Sequence, residues 1–386
     1  MSITLKRLLL ENRRDYNIKL IAGEKGLDNI VRWVHVVEDD EVSNFLHGNE
    51  LIFTTGIGIA SKPNFDFVSI ARMLVNKNAA GWVLNLGPYI KEVSDVLKLF
   101  CNVSGLPLFV IPWEERLIDI TYDFIHLIIE NEDREQSIEK SFSSIIDTKQ
   151  LSLDAKNILE RSGFNDNAEY KIIKLDLKSS SFSKEDLKIV AKTLVFEVDN
   201  NHNFCVMVNN LSIVVIAKDF TEDEVKKSIE YLKTKFDCKS LNLYIRIGIS
   251  SKKKGLANVY KLYDEAIASI NVGNIQNKEI IYYDEIGIYQ ILESIKDNQI
   301  LSRYVDSKLN EIIEYDNNNK TDYLNVLRLY IYTNRSVNEV ANILNCHRNT
   351  INYRIKFIKD TFGLTYEIEE ISQLWLAFKI LDSNIR

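Results

Sequence analysis

The 386-residue chain has few of the residues that cross-link or interrupt a fold. It contains only four cysteines, four prolines and fourteen glycines. The cysteines are scattered and form no C-x-x-C pair, which argues against a zinc knuckle or a disulfide framework and is typical of a reducing compartment. The scarcity of proline and glycine predicts a helix-rich chain with few long loops. Because the chain is too long for one ordinary core, we expect two or three domains.

Long apolar runs are also missing. The longest uninterrupted one lies near residues 106–113 and is far too short to span a bilayer. The first residues lack the layout of a signal peptide. The sequence therefore predicts a cytoplasmic protein without a membrane partner.

The common signatures of enzymes are absent as well. There is no Walker A, nucleophile elbow, H-E-x-x-H or G-x-G-x-x-G sequence. The five histidines show no metal-ligand spacing. We therefore expect no catalytic residues, no metal and no cofactor.

Charge is unevenly distributed along the chain. The net charge of −7 argues against a non-specific nucleic-acid binder. From Thr321 to the end, however, eight basic residues face seven acidic ones. Between Val340 and Lys359 there are four basic residues and no acidic one. A short basic patch is therefore expected near the C-terminus.

Hydrophobic periodicity predicts a multidomain chain of α/β and α+β class. Short β-rich runs such as Gly81–Leu86 alternate with helical patterns in the first part, and a second pattern around one hairpin favours an α+β sandwich with an antiparallel sheet. The polar run Asp316–Lys320 is typical of a linker. The predicted divisions are a mixed α/β domain at 1–121, a helical connector at 122–165, an α+β domain at 166–290, a helical linker at 291–320 and an all-α domain at 321–386.

The segment from Ser336 to Ile355 predicts two helices joined by a tight turn. Ser336 with Glu339 three residues later is a capping-box pattern, which starts a helix. The small residue Ala341 lets a second helix cross closely, and Asn345 tolerates the left-handed backbone of a turn. The pattern predicts a helix-turn-helix, and the alternative is an ordinary pair of surface helices with a basic rim.

The second helix is predicted from about His347 to Lys359, with its polar side open to the major groove of DNA. Arg348 is the best candidate for a bidentate contact to guanine, and Asn349 or Asn352 for one to adenine. Phosphate contacts are predicted for Thr350, Tyr353, Arg354 and Lys356, and His347 completes the DNA-binding set.

Three stretches carry a resemblance to one family. Residues 322–381, with V-x-x-V-A-x-x-L-x-x-H-R-N-T-I-x-Y-R-I and a further apolar helix, resemble the C-terminal DNA-binding domain of the purine-catabolism regulator, or PucR-type, family. The first 120 or so residues are similar to the family's sensor domain, through A-G-E-K-G-L-D at Ala22, V-R-W-V-H-V at Val31 and E-L-I-F-T-T-G at Glu50. The middle resembles its degenerate nucleotide-cyclase (GGDEF-like) domain, through I-G-I-S at Ile247 and Y-D-E-A at Tyr263.

The resemblance implies a regulator of transcription that binds a double-stranded DNA operator and responds to a small-molecule effector. Purine or other small-metabolite catabolism genes, such as those for nitrogen compounds or amino acids, are the implied targets. We also expect a homodimer that binds paired half-sites about one helical turn apart.

An effector site is predicted in the first domain. The T-T-G-I-G run after an apolar strand offers amides and hydroxyls to an anion or a carbonyl, although a tight turn is the favoured interpretation. Two interpretations stay open for the preceding strands: Arg32, His35 and Glu50 line a polar pocket, or His35 is a hydrogen-bonded structural residue. The acidic run Glu38–Glu41 is interpreted as a solvated loop end. The candidate ligand residues are Arg32, His35, Glu50, Thr54 and Thr55.

The middle domain is expected to be catalytically silent. A working diguanylate cyclase needs glycines and acids in a hairpin, to admit the nucleotide and hold magnesium. The corresponding run Asn209–Ile213 has neither. The domain is therefore predicted to dimerise or to relay a signal. For the chain as a whole, the alternatives to a regulator are an enzyme, either a nucleotide cyclase with residual activity or a small-molecule enzyme in the first domain, and an interaction scaffold that never touches DNA.

Overall fold

The computed structural model describes residues 3–12, 14–38, 46–58, 66–178, 204–209, 212–235, 244–295 and 298–383. The chain divides into two compact units, Met1–Ser141 and Phe142–Arg386. Three features expected from the sequence lie outside the described residues: the acids Asp39–Glu41, the helix Lys184–Val198 and the hairpin tip Asn210-Leu211.

The first unit is built on a five-stranded sheet in the order β2-β7-β6-β5-β4. Strands β4 to β7 are parallel neighbours, and β2 pairs antiparallel with β7. The strands are β2 (Lys19–Ala22), β4 (Trp33–Val36), β5 (Glu50–Thr54), β6 (Gly81–Leu86) and β7 (Leu108–Pro112). A two-stranded ladder joins β1 (Ile3–Thr4) to β3 (Ile30–Val31). The ends of β4 to β7 form one side of the sheet, called the carboxyl edge below.

Helices cover both faces of this sheet. On one face α2 (Phe67–Asn76) and α3 (Asp95–Ser104) share a core with Trp82 and Leu84. On the other, α1 (Leu5–Glu11) and the long α4 (Leu117–Thr148) share a core with Val83. Because both faces are covered, β5 is buried at all five positions, which explains why its three central residues, Leu51–Phe53, are all apolar.

The second unit begins within α4 and continues with α5 (Leu153–Arg161) and a sheet in the order β13-β11-β8-β10-β9, with β12 also beside β8. Strand β8 pairs antiparallel with both β10 and β11, and among the described strand pairs of this sheet only β11–β13 is parallel. The α+β class with a mainly antiparallel sheet is therefore confirmed. The elements are β8 (Glu169–Lys178), β9 (Phe204–Asn209), β10 (Ser212–Lys218), α6 (Glu222–Lys235), β11 (Tyr244–Ile249), β12 (Lys253–Lys254), α7 (Val259–Gln276) and β13 (Ile280–Tyr282).

The rest of the second unit is helical, as the sequence predicts. It comprises α8 (Tyr289–Leu292), α9 (Asn298–Asn319), α10 (Tyr323–Tyr332), α11 (Val337–Ile343), α12 (Arg348–Phe362) and α13 (Ile368–Asp382). One apolar core runs through all of them and reaches α7. None of the described helices is both long and apolar enough to cross a bilayer.

The linker predicted at Asp316–Lys320 is wrong, because α9 continues through it to Asn319. The Asp316 carboxylate accepts hydrogen bonds from the backbone N–H groups of Tyr323 (2.9 Å) and Leu324 (2.8 Å). It thereby satisfies free amides at the start of α10. Polar residues in this run serve a helix start and do not mark a free segment.

Candidate functional site

The predicted helix-turn-helix is formed by α11 and α12. Ser336 Oγ accepts the Glu339 N–H (3.3 Å) and caps α11, as its sequence pattern predicts. Asn345 has a φ of 50°, the left-handed backbone expected of this turn. The Cys346 N–H donates to the Ala341 carbonyl (3.0 Å), so the turn closes back on the first helix.

One side of α12 is fixed against the protein. Ile351, Ile355 and Ile358 are buried. The Phe357 ring stacks on Tyr323 of α10, with the ring centroids 4.8 Å apart. Since both apolar and aromatic contacts hold the helix, its rotation about its own axis is set and the opposite side is presented to solvent.

That opposite side carries almost all of the predicted DNA-binding residues. Tyr353 is 68% exposed, an unusual position for a large aromatic side chain. Arg354 is half-buried and lies near Tyr323. Burial raises the pKa of the Tyr323 phenol above its ordinary value, and the positive charge of Arg354 opposes that rise. The exposed members of the predicted set are His347, Arg348, Asn349, Thr350, Asn352, Tyr353 and Lys356.

The positive charges of α12 lack acidic partners in the part of the protein that the structure describes. Within the described ranges no acidic side chain forms an ion pair with Arg348, Arg354, Lys356 or Lys359. By contrast, Arg328 on α10 is paired with Asp382 (3.1 Å). Cations that are free on the protein side are available to phosphates, whose neutralisation releases counterions.

His347 has a structural role that sequence reasoning missed. Its Nδ1 accepts the Asn349 N–H (3.2 Å), which makes it the N-cap of α12. An accepting Nδ1 leaves the proton of the neutral ring on Nε2, so the outer nitrogen is a donor. Histidine is not among the usual capping residues, and no sequence signal pointed to this bond.

The structure does not bring the candidate ligand residues of the first unit together. Arg32 and Glu50 lie where β4 and β5 begin, whereas Thr54 and Thr55 lie where β5 ends. Half-buried His35 lies in β4 opposite Ile52. Glu50 is already engaged, because its carboxylate accepts the backbone N–H groups of residues 47 (2.7 Å) and 48 (2.9 Å).

The T-T-G-I-G run after β5, for which a tight turn is the favoured interpretation and an anion site the alternative, binds the side chain of the chain's own Glu38 in an arrangement called the Glu38 cradle below. The Glu38 carboxylate accepts the Thr55 N–H (2.9 Å), the Thr55 hydroxyl (2.6 Å) and the Gly56 N–H (3.0 Å). The acidic run predicts a solvated loop end, and for Glu38 this prediction is wrong, because its carboxylate is hydrogen-bonded to the protein. Thr54 serves the core, since its Oγ donates to Val37 O (2.8 Å) and accepts from Trp82 Nε1 (2.9 Å).

The central hairpin is described on both sides of its tip. Asn209 and Ser212 pair where β9 and β10 meet, and the two residues between them are not described. In the described part of the chain no group of three or more His, Cys, Asp or Glu residues could hold a metal ion.

Comparison with known proteins identifies both ends of the chain. Residues 8–128 match the purine catabolism regulatory protein-like family, and residues 323–380 match the PucR C-terminal helix-turn-helix domain. Both matched regions are thus of the PucR type. The two matched regions coincide with the sheet of the first unit and with helices α10 to α13, and their descriptions are those of regulators and not of enzymes.

Individual PucR relatives are distant. The proline-responsive transcriptional activator PutR of Bacillus subtilis (strain 168) is 30% identical over 182 residues, which are 46% of this chain and 44% of PutR. The chain thus matches less than half the length of that relative.

Two solved structures are similar in part. A regulator of polyketide synthase expression from Bifidobacterium adolescentis has a TM-score of 0.34 at 15% identity, covering 63% of this chain and 91% of that one. The GGDEF domain of DgcB from Caulobacter crescentus has a TM-score of 0.27 at 11% identity, covering 38% of this chain and 91% of that domain.

Proposed function

We propose that this PucR-type chain is a regulator of transcription that binds specific double-stranded DNA through α12 and responds to a small-molecule effector bound by the first unit. The observation that carries the proposal is the exposed, unpaired polar and basic side of α12, set by a capped turn and a buried apolar side. The match of residues 323–380 to a helix-turn-helix domain supports it.

The division of labour on α12 follows from side-chain chemistry. Arg348 in the first turn has the fork geometry that reads guanine, and Asn349 and Asn352 have the amides that read adenine. Lys356, further along, suits a phosphate. The Nε2–H of His347 adds a donor at the start of the helix.

The effector and the assembly are inferred more indirectly. The matched relative is named as proline-responsive, which supports a small metabolite as effector and the control of catabolic genes for amino acids or purines. A homodimer on paired half-sites would double the DNA contacts of one short helix. An effector acts on such a regulator only if it binds the DNA-competent and DNA-incompetent states with different affinities.

A genome-wide footprint of the full-length protein tests the proposal. Wild type should protect a limited set of sites that share one motif, and the genes beside them should indicate the pathway. The double variant Arg348→Ala/Asn349→Ala should lose these sites. Arg161→Ala, at an exposed arginine outside residues 323–380, is the matched control and should keep them. Protection that is unchanged in the double variant, or no protected site with wild type, would overturn the proposal.

A further inference from the structure

The carboxyl edge of the first sheet holds a polar atom that the fold leaves without a partner. Asn85 in β6 is only 3% exposed, and its Oδ1 accepts no hydrogen bond in the described structure. Buried polar atoms are almost always paired, and exceptions cluster at functional positions.

Strand register places Asn85 beside the Glu38 cradle. Leu84 pairs with Thr54, so Asn85 and Thr55 occupy the next row of the two neighbouring strands. Side chains alternate between faces, and Thr54 contacts Trp82 on the α2–α3 face, so Thr55 and Asn85 both lie on the opposite, α4 face. The carboxylate held by Thr55 and the carboxamide of Asn85 therefore belong to one polar row.

Two aromatic side chains stand at the same edge. A Cβ added to Gly56 would lie 3.0 Å from Tyr89 Cβ, so Tyr89 adjoins the cradle. Tyr89 packs edge-on against Trp113, which follows β7, with the ring centroids 5.6 Å apart. Both rings are partly open to solvent, at 45% and 38% exposed.

The charge of this row has a definite sign. In the part of the chain that the structure describes, no basic side chain forms an ion pair with Glu38. Among the described residues, its Oε1 accepts two hydrogen bonds, while Oε2 accepts one and retains a lone pair. The row thus offers a negative charge and two acceptors, Glu38 Oε2 and Asn85 Oδ1, beside aromatic faces that attract cations.

From this juxtaposition we propose that the carboxyl edge is a binding site for a small metabolite with a protonated amine, whose N–H groups donate to Asn85 Oδ1 and Glu38 Oε2. Ligands in parallel α/β sheets commonly bind outside the carboxyl ends of the strands. This proposal rests on the proposed function in one respect, namely that the bound metabolite is the effector. The site does not use Arg32 or Glu50, which lie at the opposite edge.

The test is thermal unfolding of the full-length protein, without DNA, in the presence of single small molecules. The probes are the protein L-amino acids and putrescine, each compared with the analogue in which the amine is replaced by hydrogen or hydroxyl. At least one amine should raise the Tm in a saturable manner, because a ligand that binds only the folded state stabilises it. Its amine-free analogue should not.

Variants then locate the site. Asn85→Leu replaces the unpaired amide with an apolar side chain of similar size. It should weaken the binding of the amine about tenfold or more without lowering the Tm of the free protein. Asn12→Leu is the matched control, since Asn12 Oδ1 is the other buried unpaired amide oxygen described in this unit, and it should bind as wild type does. Tyr89→Ala, at a partly exposed position that needs no refolding of the core, should weaken binding about three- to fivefold.

Several results would overturn the site. They are an absence of any Tm shift with the amines, an equal shift with the amine-free analogues, and an unchanged affinity in Asn85→Leu and Tyr89→Ala. A lower Tm of free Asn85→Leu, with amine binding intact, would assign the amide to a structural water. Since DNA is absent from the assay, none of these results bears on DNA binding, and a failed footprint would leave this site standing.

Discussion

At the carboxyl edge of the first sheet a negative side chain is turned toward the protein, whereas on α12 positive side chains are turned away from it. Glu38 is held by two backbone amides and a hydroxyl. Arg348 and Lys356 are exposed and have no acidic partner in the described structure. Charged side chains thus stabilise the fold at the carboxyl edge, whereas on α12 they remain available to DNA. Mutations should therefore change stability in the first region and DNA binding in the second.

The largest effect on stability is expected for Glu38, whose charged carboxylate is hydrogen-bonded by the protein itself. Glu38→Ala leaves the amides of Thr55 and Gly56 without their acceptor, and we expect a loss of about 3 kcal/mol in the free energy of unfolding of the first unit. Urea unfolding followed by tryptophan fluorescence measures it, because Trp33, Trp82 and Trp113 all lie in this unit. Glu38→Gln keeps one acceptor and should lose about half as much. Equal stability of Glu38→Ala and wild type would show that the cradle contributes nothing to folding.

The opposite result is expected on α12. Arg348→Ala should weaken specific DNA binding by about 1–3 kcal/mol and relax the sequence preference at one position of the half-site. Its stability should stay within about 0.5 kcal/mol of wild type, since the side chain is exposed and unpaired. Fluorescence anisotropy with the footprinted site, at fixed salt, measures the affinity, and Arg161→Ala serves again as control. A large loss of stability in Arg348→Ala would erase the contrast with Glu38.

These two residues also show what a sequence can predict. The exposed side of α12 follows from local helical periodicity, because the spacing of Ile351, Ile355 and Ile358 fixes which side is buried whatever the helix packs against. The partner of Glu38 does not follow, because Thr55 lies seventeen residues away and meets it only through the register of β4 and β5. The T-T-G-I-G run thus indicates a turn locally, whereas the carboxylate that the turn binds depends on a contact between distant residues.

The fold shows the same division. Strand β6 occurs at the predicted residues Gly81–Leu86, since its apolar run and flanking turns are local signals. The polar run after Tyr315 was misread as a linker, because the capping of α10 by Asp316 depends on how two helices meet. The proposed domain divisions stay predictions for the same reason.

His347 combines both uses of a polar group, and its substitution should have an intermediate effect. His347→Ala removes the N-cap of α12 and should cost about 1 kcal/mol of stability. It also removes the Nε2–H donor and should weaken DNA binding. His347→Asn restores a capping side chain, so stability should return while the DNA affinity stays lower. If both return together, the histidine acts on DNA only by holding the helix start.

The smallest effect is expected at Asn345, which shapes the turn and is assigned no contact to DNA. Its φ of 50° is tolerated by asparagine and costs glycine nothing, so Asn345→Gly should raise stability by no more than about 0.5 kcal/mol, because glycine also gains freedom in the unfolded chain. Asn345→Ala should instead lose about 1 kcal/mol, since alanine pays the full left-handed penalty. Thermal unfolding measures both changes. Affinity for the footprinted site should be unchanged in Asn345→Gly, because the turn keeps its shape. A weaker affinity in that variant would place the asparagine side chain on the DNA and extend the outward-facing surface of α12 into the turn.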